Sequence, residues 1–455
     1  MGHLMRQGTS AGKVALAVLS LLLATLIWGK GLQESFSRPS VVPKLSMRQQ
    51  EISLLAAPAV PNSLKPLLIG EKPKSNLRKI LRDLPLDQLE DRERLILALL
   101  EPSQDVRRST LQKTAENESL SSIQKRLLES STDKKNTQFI LNDLAKIKND
   151  PLLYQLTCFA LGGNEKTCVD GLISKSMFLR LMFSQGVPVI AVLLGSGFLI
   201  RQLWLLLRRV NASWPGLVAL PLFPIDMVLL VAGGFVVLGE VLFPALVAPI
   251  TETLTKDIGS PLKESLRVFL GYIAMTIPPL LILRQQLGSL KGLDLPKNGW
   301  LQWRLKPFGN GLVQASHGWL MVMPLVLLTS WLMNSLVGDQ GGSNPLLELV
   351  LKSQEPLSLA LLLLTTVVFA PLFEELIFRG TLLPVLAQTL GRSGGVIVSA
   401  LVFALAHLSV GEFPPLVVLG LGLALLRLSS GRLFPCVLMH SLWNGVTFIN
   451  LLLLG

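Results

Sequence analysis

The stretch Leu357-Ser-Leu-Ala-Leu-Leu-Leu-Leu-Thr-Thr-Val-Val-Phe-Ala-Pro-Leu-Phe373-Glu374-Glu375-Leu-Ile-Phe-Arg379 decides the fold class. Its apolar part approaches the roughly 20 residues that an α-helix needs to cross hydrocarbon. It then places two carboxylates where a membrane helix least tolerates charge, at a cost of about 2.5 to 3.5 kcal/mol each even on lenient insertion scales. An acidic pair there needs a partner or a task. On a helix Glu375 and Arg379 share a face at i, i+4, whereas Glu374 is rotated by about 100° and points elsewhere, which leaves it unpaired.

The composition of the whole chain agrees. Half of its 455 residues are hydrophobic and 16% are charged, and the mean hydropathy is +0.52, outside the range of ordinary soluble enzymes. The expected fold is all-α, a polytopic transmembrane bundle of about eight or nine spans with a small helical extramembrane domain. The net charge of +12 does not point to nucleic acid. Many of its cations, among them Arg201, Arg208, Arg209, Arg284, Lys291, Lys297, Arg304 and Lys306, flank apolar runs, as membrane topology requires. A phosphate-binding Gly-rich loop and zinc-type cysteine spacing are both absent from the sequence.

Working outward, residues 14–28 form an apolar segment behind Arg6 and Lys13, read as an uncleaved anchor within 1–30. Residues 31–175 are polar, charged and broken by proline, with helical patterns over 86–100, 121–128 and 137–147, and read as an extramembrane helical domain. Spans are expected over 181–200, 227–247, 268–283, 311–337, 357–378, 395–408, 416–428 and 433–454. Those before 309 have no assigned role, and 310–455 forms the core of interest. With the Arg/Lys-rich loops at 201–209 and 284–306, Arg392, and an Arg427/Arg432 loop in the cytoplasm, every span alternates and 31–175 falls on the opposite side. Cys158 and Cys168, with Gly162 and Gly163 between them, are compatible with a disulfide or with two separate thiols; Cys436 reads as a small buried hydrophobe. Asp226, Glu240 and His317 are read as interfacial.

Downstream of the acidic pair the polar residues recur at helical spacing. The turn between two antiparallel helices falls at 391–395, which brings Glu374 and His407 to within roughly 10 Å in depth. Phe403, at i−4 from His407, can cover its ring. His440 and Asn444 share a face at i, i+4, and both can donate hydrogen bonds to a developing oxyanion. Glu374 with His407 can hold and deprotonate water. For Glu375 and Arg379 a structural ion pair is favoured over direct chemistry.

The runs Glu374-Glu-Leu-Ile-Phe-Arg379, Phe403-Ala-Leu-Ala-His407 and His440-Ser-Leu-Trp-Asn444 resemble the EExxxR, FxxxH and HxxxN motifs of the CPBP family of intramembrane glutamic proteases, the CaaX prenyl endopeptidases and their bacteriocin-processing or Abi relatives. The resemblance covers about 310–455. It implies that Glu374 activates water with His407, that His440 and Asn444 form the oxyanion site, and that Glu375 and Arg379 hold the first helix in register. It implies no cofactor and no metal, and a membrane-associated or lipid-modified protein or peptide as substrate. Two other readings stand beside it. One is a non-catalytic scaffold or immunity protein whose 31–175 domain binds a protein partner. The other, ranked last because Asn is a poor zinc ligand and no HExxH occurs, is a zinc-dependent membrane hydrolase.

Overall fold

The computed structural model describes residues 10–38, 40–70, 72–84, 89–111, 118–129, 147–210, 214–338, 342 and 345–455. The helical pattern at 137–147 lies, except for Ile147, outside the described residues. The described residues are mainly helical, with one isolated bridge between Lys291 and Leu293 and no strand. They form two compact units, Met1–Val41 with Val189–Leu452, and Val42–Pro188 with Leu453–Gly455.

The smaller unit is built from amphipathic helices. In Pro73–Asp83 only Leu77 and Leu81, one turn apart, are buried, and they join Met47, Ile96, Leu152 and Leu153 in one core. Helix starts are set by short polar side chains: Asp150 caps Pro151–Ala160 by accepting from Leu153 N, and Asp170 caps Gly171–Leu181. Glu51, almost fully buried, accepts from Arg92 through both oxygens at 2.8 and 3.0 Å, and Arg92 also grips Asp150. Burial alone would lower the pKa of Arg92, but the two carboxylates outweigh it and raise it. Cys158 and Cys168 form a disulfide. Gly163 passes beside it so closely that a Cβ there would lie 2.3 Å from the Cys168 sulfur.

The larger unit holds most of the apolar helical residues. Among the described residues eight stretches are long and apolar enough to cross a membrane: Ala11–Ser35, Gly171–Leu207, Pro224–Leu254, Leu262–Gly288, Phe308–Val337, Pro356–Leu405, Phe413–Ser430 and Phe434–Leu454. Pro356–Leu405 makes two passes, because Gly391 breaks it in the left-handed region at φ 74 and ψ 168. The returning helix packs tightly, with Gly395 against the backbone of Ala387. The expected 357–378 span therefore runs on to the break at Gly391, and Glu374 stands mid-helix rather than at an end. Helices meet where small residues let backbones approach: a Cβ on Gly195 would lie 1.9 Å from Leu320 O.

The N-terminal helix runs parallel to Pro224–Leu254, since Lys13 pairs with Asp226 at 2.5 Å and, further along both, Trp28 Nε1 donates to Glu240 at 3.2 Å. Asp226 and Glu240 are thus helix-to-helix partners. Arg427, expected in a cytoplasmic loop, is fully buried inside Phe413–Ser430. It donates to Arg379 O at 3.2 Å and to Gln302 Oε1 at 2.7 Å, which satisfies carbonyl and amide oxygens that apolar neighbours would strand.

The parallel pairing gives the sidedness a test. Single cysteines introduced at Lys74 and at Lys297 are expected to differ, the first reacting with an impermeant maleimide on intact cells and the second only after permeabilisation. The reverse pattern would invert the topology.

Candidate active site

The acid-bearing helix is not uniformly α. Leu364–Phe369 and Leu376–Leu382 are π-helical and flank the short α-helix Ala370–Glu375. Such widened turns recur at functional sites because they redirect side chains. In the first of them Ala370 N–H reaches back five residues to Thr365 O. The next residue, Pro371, has no N–H, so Thr366 O loses its backbone donor. Asn444 Nδ2 supplies one, at 2.8 Å.

Glu375 and Arg379 are fully buried and bonded at 2.9 Å, which excludes a solvated helix-end pair. Glu375 Oε1 also faces His440 Nδ1 at 2.9 Å. Arg379 donates its other terminal nitrogen to Gly420 O at 3.1 Å and lies 4.2 Å over the Phe403 ring. Gly420 crosses Ala400 so closely that a Cβ there would lie 3.1 Å from its Cα. The pair therefore joins its own helix to Phe413–Ser430 and Phe434–Leu454 by hydrogen bonds and to the returning helix through the Phe403 ring.

Phe403 sits at the centre, its ring edge-on to Phe378, His407 and His440 at centroid distances of 5.4, 4.8 and 5.7 Å. His407 stands just past the helix expected to contain it. That helix ends at Leu405, and Leu408 turns the chain with φ 49. His407 Nδ1 lies 2.8 Å from Phe403 O; a carbonyl only accepts, so Nδ1 donates, and in the neutral ring Nε2 presents its lone pair.

Glu374 faces this point from the other side. Its Oε1 accepts from Tyr272 OH at 3.4 Å. Its Oε2 is buried without a hydrogen bond and lies 3.9 Å from both His407 Nε2 and His440 Nε2. Those separations are too long for direct bonds and suit a small molecule bonded to all three. Glu374 and His407 keep 15% and 25% side-chain exposure, whereas His440 keeps 3%. Glu374, Glu375, Arg379, Phe403, His407 and His440 are thus in one connected cluster, and Asn444, one turn from His440, is anchored to Thr366.

Tyr272, Thr366 and Gly420 belong to the same site and escaped sequence reading. A backbone carbonyl leaves no sequence signal. Tyr272 is one of only two tyrosines in the chain, and its hydroxyl within an apolar run was the available clue.

Fold and cluster together define an integral, multi-pass membrane protein with an acid–imidazole centre inside the bundle. Residues 356–446 match the family model described as type II CAAX prenyl endopeptidase Rce1-like, so the chain carries a domain of the CPBP/CAAX intramembrane protease family. Residues 42–179 match a second model, a domain of unknown function, DUF8675. Searches of curated proteins and of solved structures returned no match.

Proposed function

We propose that this protein is an intramembrane endopeptidase in which Glu374 and His407 activate water. The observation that carries the reading is the convergence of Glu374 Oε2 with two imidazole Nε2 atoms at 3.9 Å, with no protein hydrogen bond to that oxygen. A water there donates one proton toward Glu374 and the other toward His407 Nε2. Its oxygen attacks the scissile carbonyl carbon as Glu374 takes the proton. The C–N bond then breaks, and the leaving amine takes the proton from Glu374.

The developing oxyanion is met by His440 and Asn444. His440 Nδ1 is committed to Glu375, so its Nε2 is the ring nitrogen left to face the oxyanion, donating when it carries a proton. Asn444 keeps one amide proton beyond the bond to Thr366. In this reading no metal and no cofactor takes part. The substrate is a membrane-associated or lipid-modified protein or peptide, the class on which the CAAX protease family acts. The scaffold reading has the polar cluster serving only to hold the helices together.

The test uses purified protein in liposomes with a library of prenylated and unprenylated peptides. Cleavage is expected at one bond near the lipid-bearing end and is expected to be unchanged by strong chelators. Chelator-sensitive cleavage restored by zinc would replace this mechanism with a metal-dependent one.

A further inference from the structure

The turn that carries His407 is held from outside the matched domain. After Leu405 the chain leaves the helix, and His407 N and Leu408 N bond back to Ala404 O and Leu405 O. Leu408 then adopts φ 49, a conformation that costs a non-glycine residue energy unless its surroundings enforce it. The enforcing groups come from the exit of the N-terminal helix. Gly31 and Ser35 are one turn apart on one helix face, and Arg38 follows just past the helix end at Ser35.

Each meets the turn. The Leu408 side chain packs onto Gly31, where a Cβ would lie 2.9 Å from its Cδ1. Ser35, fully buried, accepts from Val410 N at 3.0 Å. Arg38 donates to Leu408 O. Gly342 closes the arrangement, its N donating to Arg38 O at 2.9 Å and its O accepting from Ser409 Oγ at 2.7 Å. Residues 31–38 and 342 fall in neither matched family segment.

We propose that Ser35 and Arg38 are positioning residues for His407: they lock the left-handed turn and so fix where His407 Nε2 faces Glu374. The proposal rests on the protease reading above for its kinetic consequence, while its structural content stands apart. The N-terminal helix is then part of the catalytic architecture as well as an anchor.

The experiment uses the full chain in liposomes with Ser35→Ala, Arg38→Ala and Arg38→Lys. Two quantities are read: kcat and KM on a cleaved peptide, and the rate at which diethyl pyrocarbonate modifies His407, followed by mass spectrometry with His440 as internal reference. Loss of one neutral hydrogen bond in Ser35→Ala is expected to lower kcat about fivefold, and loss of the charged donor in Arg38→Ala about tenfold or more, with KM nearly unchanged. His407 modification should accelerate in both variants relative to His440, and Arg38→Lys should recover part of each effect.

Parent-like kcat and parent-like His407 modification in Ser35→Ala overturn the proposal, as does a change in KM alone. If Arg38→Ala fails to accumulate, Ser35→Ala, which removes a single hydroxyl, still decides. If the parent protein cleaves no peptide, the protease reading fails while the modification rates still report whether Ser35 and Arg38 hold the turn.

Discussion

Glu374→Gln protein is expected to cleave no peptide at a measurable rate while folding and accumulating like the parent. The substitution keeps shape and removes only the charge, and the oxygens of Glu374 meet Tyr272 at 3.4 Å and the two imidazoles at 3.9 Å, none of them a short contact that the bundle depends on. A glutamine cannot take a proton from water, so the first step has no base. Asn444→Ala should be milder, lowering kcat by about 100- to 1,000-fold, the usual effect of deleting one oxyanion donor. It should also reduce stability, because Thr366 O loses the donor that replaces the missing Pro371 N–H. Single-turnover rates on the folded fraction, with thermal unfolding of each variant, separate these effects. Cleavage that survives Glu374→Gln would sink the glutamic mechanism.

The second large effect falls on stability. Arg379→Ala is expected to destabilise the protein by about 3 to 5 kcal/mol, because breaking a buried pair leaves an uncompensated buried charge. Glu375 is fully buried, and its remaining partner at Oε1 is His440. The variant also loses the bond to Gly420 O and the cation over Phe403. Replacing both partners, as in Glu375→Gln with Arg379→Met, should cost much less than Arg379→Ala alone, since no charge is stranded. Thermal unfolding in detergent reads both. An unfolding midpoint for Arg379→Ala equal to the parent's would show that the pair contributes nothing to stability.

What could be read in the sequence was what local spacing and hydropathy encode. Apolar runs of bilayer length mark the membrane class, and i, i+4 spacing puts Arg379 beside Glu375, a bond that needs only its own helix. The break at Gly391 and the juxtaposition of Glu374 with His407 also followed, because a short turn makes its two helices antiparallel neighbours. Other features depended on tertiary structure alone. The burial of Arg427 against Arg379 O, the bond from Asn444 to Thr366, the approach of Tyr272 to Glu374 and the clamp of Ser35 and Arg38 on the His407 turn all join residues far apart in sequence. In a soluble helix a polar face would show which side meets its neighbours. A membrane helix is apolar on nearly every side, so hydropathy does not say which face meets which helix. Close packing of small residues and the need to satisfy each stranded carbonyl decide that across the whole bundle.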